Sequence, residues 1–394
     1  RGFGGPQGHF AAEMQMNRLA EALGLDPVEF RARNVLHEGS ILATRSRVPA
    51  GCTAPEVLAR CASAAGWIRM ADGWQPDATL RPAPPHERFQ TALDAAGGER
   101  RRGIGLALSY KNVGFSLGFV DECYATVELH GQARVERVVV HHAGADVGQG
   151  AHNLMRQIAA EAVGIPLAQV ELIASDSALT DNSGSTSASR MTFMAGNAIL
   201  AAARQAVALW QAEEERPVIV RQRYLPRATS AYDKETGASD PNITYGYCAQ
   251  AADIEIDMET GHIFVRRLVS VNDVGKAINP QQVAGQIEGA VAQAQGWTLL
   301  EEFKQKEGQV LTNRLSTYLI PTMSYVADVV EPVILEIPDP QGPLGARGMA
   351  EMPFIPTAPA IAAAVHAAAG VWINDLPLTP ERVWRALRQA KTDE

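Results

Sequence analysis

The chain has 394 residues, 46% of them hydrophobic and 20% charged, enough to fill two or three cores and too apolar for a disordered polymer. A formal charge of −9 with no basic block argues against nucleic acid as a partner. Apolar stretches such as Ala358–Ala369 fall short of the ~20 residues a membrane span needs, so none is expected.

The chain opens directly on a glycine loop and reads as a piece of a longer protein. Helical spacing of Phe10, Met14, Leu19, Ala20 and Leu23 predicts a helix over 9–23 that stops at Gly24. Asp26-Pro27 carries the cap and first-turn chemistry for a short helix over 28–34, and a third helix is expected over 55–65. The Pro- and Gly-rich tract 71–102 reads as a connector and domain boundary. Strands are predicted over 103–109, 122–129 and 135–142, with a turn at His130-Gly131. A helix over 151–163, a strand over 170–174 and a long helix over 192–211 follow. A hairpin over 251–256 and 262–271, turned at Thr260-Gly261, precedes helices over 284–300 and 359–369. The whole is a mixed α+β (or α/β) pattern without internal repeats. Cys52, Cys61, Cys123 and Cys248 are scattered with no C-x-x-C pair. They read as buried thiols rather than as disulfides, a zinc site or an iron–sulfur site on this chain.

One local device recurs. Gly2-Phe-Gly-Gly-Pro-Gln-Gly8, Gly144-Ala-Asp-Val-Gly-Gln-Gly150, Ser183-Gly-Ser-Thr-Ser-Ala-Ser189 and Pro343-Leu-Gly-Ala-Arg-Gly-Met-Ala-Glu351 each run into a predicted helix. Glycine lets backbone N–H groups approach a ligand, and a helix N-terminus carries about half a positive charge, so such loops suit a large anionic cofactor. Neither a P-loop lysine nor the G-x-G-x-x-G spacing is present, which counts against an ordinary nucleotide-binding α/β enzyme.

In order along the chain, Arg1-Gly-Phe-Gly-Gly-Pro-Gln7, the tract Leu19–Asn34, Gly148-Gln-Gly150, Asp273-Val-Gly-Lys-Ala-Ile-Asn-Pro280, Gly285-Gln-Ile-Glu-Gly-Ala290 and Gly345-Ala-Arg-Gly-Met-Ala-Glu351 are quite specific. Together they resemble the molybdopterin-binding large subunit of the xanthine dehydrogenase and aldehyde oxidoreductase family of molybdenum hydroxylases. The resemblance implies that family's α+β cofactor-binding fold, with mixed sheets packed against helices. Residues 1–95 would be the remainder of a first cofactor-binding lobe, and 96–394 a second lobe carrying the catalytic Glu loop. It implies an enzyme active only as an assembly with the N-terminal half of its subunit, an iron–sulfur (2Fe-2S) subunit and a flavin (FAD) subunit. The chain would then be a natural split subunit or a processed fragment, in the cytoplasm, or in the periplasm where a partner carries an export signal.

The implied reaction hydroxylates a carbon of an aldehyde or an N-heterocycle such as a purine, with oxygen from water. The cofactor is molybdopterin-bound molybdenum, as the mononucleotide or the cytosine dinucleotide. No protein side chain ligates the metal, so His141 and His142 are expected as core or strand-end histidines; on adjacent strand positions they point to opposite faces. Glu351 occupies the place of the family's general base, where Met349, Met352, Pro353 and Phe354 are expected to raise its pKa. The family's Gly-Glu-Pro-Pro is replaced here by Ala350-Glu351-Met352-Pro353. Arg1, Gly2, Phe3, Gly4, Gly148, Gln149, Gly150, Thr186, Ser187, Ala188, Ser189 and Gln286 carry over as cofactor-binding positions. Phe3 and, through a looser match, Phe115 carry over as aromatics facing the substrate. The alternative is a scaffold half-subunit without turnover, which would be expected to have lost Glu351.

Overall fold

The computed structural model describes residues 1–77, 79, 98–212 and 215–393. In chain order its elements are α1 (Gly5–Ala22), α2 (Pro27–Asn34), α3 (Ala54–Ala64), β1 (Trp67–Met70), β2 (Gly73–Pro76), β3 (Arg100–Val113), β4 (Cys123–Gly131) and β5 (Val135–His142). Then come α4 (Ala151–Val163), β6 (Val170–Ala174), α5 (Met191–Ala212), β7 (Val218–Tyr224), β8 (Thr244–Asp257), β9 (Ile263–Asp273) and α6 (Pro280–Leu299). The short pair β10 (Gln305–Lys306) and β11 (Gln309–Val310), β12 (Val329–Leu335), α7 (Thr357–Ala369) and α8 (Pro380–Asp393) complete it.

Local chemistry sets the helix starts. Asp26 accepts the N–H groups of Val28 (2.7 Å) and Glu29 (3.3 Å), capping α2 ahead of Pro27. α1 begins at Gly5 rather than at His9 as predicted. Gly4 takes the left-handed cap conformation and Pro6 opens the first turn, so the loop feeds the helix directly. Part of the tract read as a connector is ordered structure: β2 pairs with β1, and β3 starts at Arg100. The rest of that tract lies outside the described residues.

The first sheet has the order β12-β9-β8-β3, antiparallel except for β12, which joins β9 in parallel. Alternation sends Ile104, Leu106, Tyr245, Tyr247, Val269 and Val271 against Val57, Leu58 and Cys61 of α3. On the other face, Cys248, Ala252, Ile254 and Leu268 meet α7, with Phe10 and Met14 of α1 in the same cluster. Covered on both faces, β8 is buried at all but one of its positions, Gln250 and Asp253 included. Gly103 and Gly105 make the close approach possible: a β-carbon on either would overlap the α7 backbone at Ala364. Met352–Ala369 is long and apolar enough to cross a membrane by composition, but 78% of it is buried in this core.

The second sheet has the order β6-β5-β4-β7. Val127, Leu129, Val138 and Val140 pack on Met155 and Ile158 of α4 and on Phe193 and Ile199 of α5. Two mixed sheets with helices on their faces make the α+β architecture that the sequence predicts. β1, β2, β7, β10, β11, β12 and α8 are additions to that reading.

Candidate active site

Five segments converge beyond the C-terminal ends of β5 and β9: residues 1–4, 144–150, 183–190, 274–286 and 342–351. They enclose a cleft of about 440 Å³. In the first segment Gly2 (φ 84°) and Gly4 (φ 72°) adopt left-handed conformations that side chains rarely enter. The turn aims the Gly2 N–H at Oε1 of Glu351 (3.1 Å), while Arg1 donates to Oε1 of Gln286 (2.8 Å).

The second loop is organised by Asp146, which accepts the N–H groups of Gly148 (2.9 Å), Gly150 (3.2 Å) and His152 (3.1 Å). Gln149 spends both ends of its amide on this loop, accepting from Val147 N–H (2.6 Å) and donating to the Ala145 carbonyl (3.0 Å). The buried His142 anchors the loop's start. Its Nδ1 accepts the Gly144 N–H (2.9 Å), which leaves the ring proton on Nε2, facing Cys123 Sγ at 3.1 Å. Burial lowers the His142 pKa to about 4 and pushes the Cys123 thiol up to about 12. His141, on the opposite strand face, bonds Glu128 (2.8 Å) instead.

The third loop wraps around Arg190, whose side chain is fully buried. Its guanidinium pairs with Asp121 Oδ1 (2.6 Å) and donates to the carbonyls of Ser183 (2.7 Å) and Ser185 (3.0 Å). Ala188 (φ 50°) and Ser189 (φ 52°) sit in the left-handed region without being glycine, a strain of about 1–2 kcal/mol each. The Gly114 N–H holds the Ala188 carbonyl (3.0 Å), and Thr186 ties this loop to the Ala145 carbonyl (3.1 Å).

The loop over 342–351 is fixed by Arg347, whose side chain is also fully buried. It pairs with Asp273 and Asp339 (both 2.7 Å) and donates to the Gly51 carbonyl (2.7 Å). Burial raises the Asp273 pKa, and the Arg347 charge opposes that rise.

Glu351 ends this loop at 9% exposure. Ser189 Oγ donates to its Oε2 (3.1 Å) and accepts its backbone N–H (3.1 Å). Lys111 Nζ lies 3.0 Å from the same Oε2. The expected apolar surroundings are therefore corrected: Met352 and Phe354 turn into the core, and the carboxylate itself faces hydrogen-bond donors and a cation.

Arg1, Phe3, Gln149, Thr186, Ser187, Ala188, Ser189, Gln286 and Glu351 thus border one cleft. Gly2, Gly4, Gly148 and Gly150 shape its loops through positive φ. Phe115 is not among the lining residues; it stacks edge-on with Phe119, and Arg190 lies over its ring. Sequence reasoning missed Lys111, Asn279 and Gln282. Asn279, which caps α6 by accepting the Gln282 N–H (3.0 Å), carried a usable signal in Asn279-Pro280. Lys111 carried none, because a lysine in a strand reads as a solvated side chain.

The donor set fits a pterin-held metal. The starts of α4, α5 and α6 border the cleft with their positive ends, beside amide and hydroxyl groups that can both donate and accept. Among the described residues, no group of three or more His, Cys, Asp or Glu is placed to hold a metal ion.

Comparison with known proteins agrees with this. One model of the molybdopterin cofactor-binding domain matches residues 82–216 and 206–327, and another matches residues 1–35. The chain is 28% identical to the xanthine dehydrogenase molybdenum-binding subunit of Escherichia coli O157:H7, over 99% of this chain and 53% of that protein. Its fold superposes on the aldehyde oxidoreductase of Desulfovibrio gigas with a TM-score of 0.82 at 27% identity, covering 98% of this chain and 41% of that one. For quinoline 2-oxidoreductase of Pseudomonas putida the TM-score is 0.77 at 25% identity, covering 97% and 52%. The chain belongs to the molybdopterin cofactor-binding domain family. More particularly, it is similar over nearly its whole length to the molybdenum-binding subunit of xanthine dehydrogenase and to aldehyde oxidoreductase. It spans about half the length of the relatives it matches.

Proposed function

We propose that this chain holds the molybdenum cofactor against a substrate carbon and supplies the general base for its hydroxylation. The cofactor, when bound, supplies the oxygen-transfer and two-electron chemistry. Arg1, Gln149, Gln286 and the hydroxyls of residues 186–189 would hold the pterin, in its mononucleotide or cytosine dinucleotide form. Converting C–H and water into C–OH releases two protons and two electrons, and Glu351 is the carboxylate on the cleft wall able to take a proton. The substrate class is an aldehyde or N-heterocycle, since relatives are named for xanthine, aldehyde and quinoline. The rest of the molybdopterin subunit and iron–sulfur and flavin partners complete the assembly and carry the electrons away.

The observation that carries this reading is the placement of Glu351, held by Gly2, Ser189 and Lys111 where the loops meet. A scaffold subunit has no need of that arrangement. Glu351→Gln in the assembled enzyme should abolish hydroxylation with molybdenum still bound. Activity within tenfold of the wild type would remove Glu351 as base.

A further inference from the structure

We infer that Lys111 is the counter-charge and positioning residue of Glu351, a role that rests on the reading of Glu351 as base. Lys111 lies on β3, paired across the ladder with Gly246 of β8. Its strand parity is that of Gly103, Gly105 and Ala107, so its side chain leaves the sheet on the α7 side. The stem runs beneath the first loop, where a β-carbon on Gly5 would lie 4.0 Å from Lys111 Cδ. Across the ladder, a β-carbon on Gly246 would come within 2.6 Å of Met352 Sδ. The residue after Glu351 is therefore seated on the bare strand position opposite Lys111. That juxtaposition delivers the ammonium to the carboxylate.

The pair is nearly dry, with side-chain exposures of 13% for Lys111 and 11% for Glu351. Beyond Glu351, Nζ donates to Asn112 Oδ1 (2.7 Å) and more weakly to the Asn112 carbonyl (3.4 Å), which fixes its direction. The other groups facing Glu351 are the Gly2 N–H, the Ser189 hydroxyl and, at longer range, the Arg1 guanidinium. Lys111 is the full charge in direct contact. A cation at this distance attracts the carboxylate and offsets part of the cost of burying its charge. The bond also keeps Oε2 on the strand side, with Oε1 against the first loop.

The test uses the assembled, cofactor-loaded enzyme with Lys111→Met, Lys111→Arg and Glu351→Gln. Two quantities are followed against pH. One is kcat/KM; the other is the infrared carbonyl stretch of protonated Glu351, assigned by its loss in Glu351→Gln and recorded without substrate. Lys111→Met should load molybdenum as the wild type does and move both the acidic limb and the infrared titration to higher pH by about one unit or more. Lys111→Arg should retain most of the wild-type position. If Lys111→Met fails to assemble, Lys111→Gln, which keeps a donor for Asn112 without the charge, takes its place. A loaded, uncharged variant with an unmoved titration overturns the proposal. An active Glu351→Gln enzyme would instead defeat the base assignment, and the infrared titration would still decide the pairing.

Discussion

A β-carbon on Gly348 would overlap the carbonyl oxygen of Ser189, so the two loops that flank Glu351 touch backbone to backbone. The contact places the Ser189 hydroxyl where it can bond both the N–H and the carboxylate of Glu351. Ser189 reaches that point only through its left-handed backbone, a conformation the surrounding bonds must hold.

Gly348→Ala should therefore separate the loops. We expect a loss of about 1–3 kcal/mol in urea unfolding, as for other overpacked sites, together with reduced molybdenum content. Gly289 in α6 has open space around it and serves as the control. A Gly348→Ala protein as stable as the wild type and fully loaded would show that the backbones are not in contact.

Arg347→Met removes the cation between Asp273 and Asp339 and leaves both carboxylates buried without it. The expected cost is about 3–5 kcal/mol, the range for breaking a buried ion pair from one side. Adding Asp273→Asn should recover part of it. A fall below 1 kcal/mol, measured as the change in urea midpoint at constant slope, would contradict the burial described here.

His142 makes stability depend on pH. Its pKa falls from 6.5 to about 4 on folding, so between these values the unfolded chain binds a proton that the native chain does not. Stability should rise with pH across that window and decline by about 3 kcal/mol as pH drops from 6.5 to 4. Protonating Nδ1 would also set one N–H against that of Gly144 and release the second loop. Urea unfolding across this range should show a shallower slope for His142→Gln, and equal slopes would exclude His142 as the source.

Much of this arrangement is legible in the sequence because it is local. α4, β5 and β6 occupy their predicted ranges, each bounded by its own turn or cap, as at Gly150 and Gly164 on either side of α4. Motif order likewise places Gln149, Ser189, Gln286 and Glu351 together, since Gln149, Ser189 and Glu351 sit in loops just ahead of helices and Gln286 in the second turn of α6. β12 escapes notice because it is an edge strand interrupted by Pro332, tolerable only at an edge. β7 alternates with arginines and looks like surface chain. α8 did offer a signal, in Thr379-Pro380 followed by Val383 and Leu387 at helical spacing. Lys111 is a different case: its meaning depends on a partner brought in by β8 and the Glu loop, and nothing around residue 111 announces it.

The seam between β3 and α7 has a bearing on evolution as well as on packing. α7 starts at Thr357, a few residues after Glu351, and rests directly on Gly103 and Gly105. The thickness of that seam sets how far the Glu loop projects into the cleft. A single methyl group added there, remote from any ligand, would push the helix outward and carry the loop with it. Those two glycines work as a spacing gauge, and changes at the far end of the sheet could retune the reach of Glu351 without altering a residue that lines the cleft.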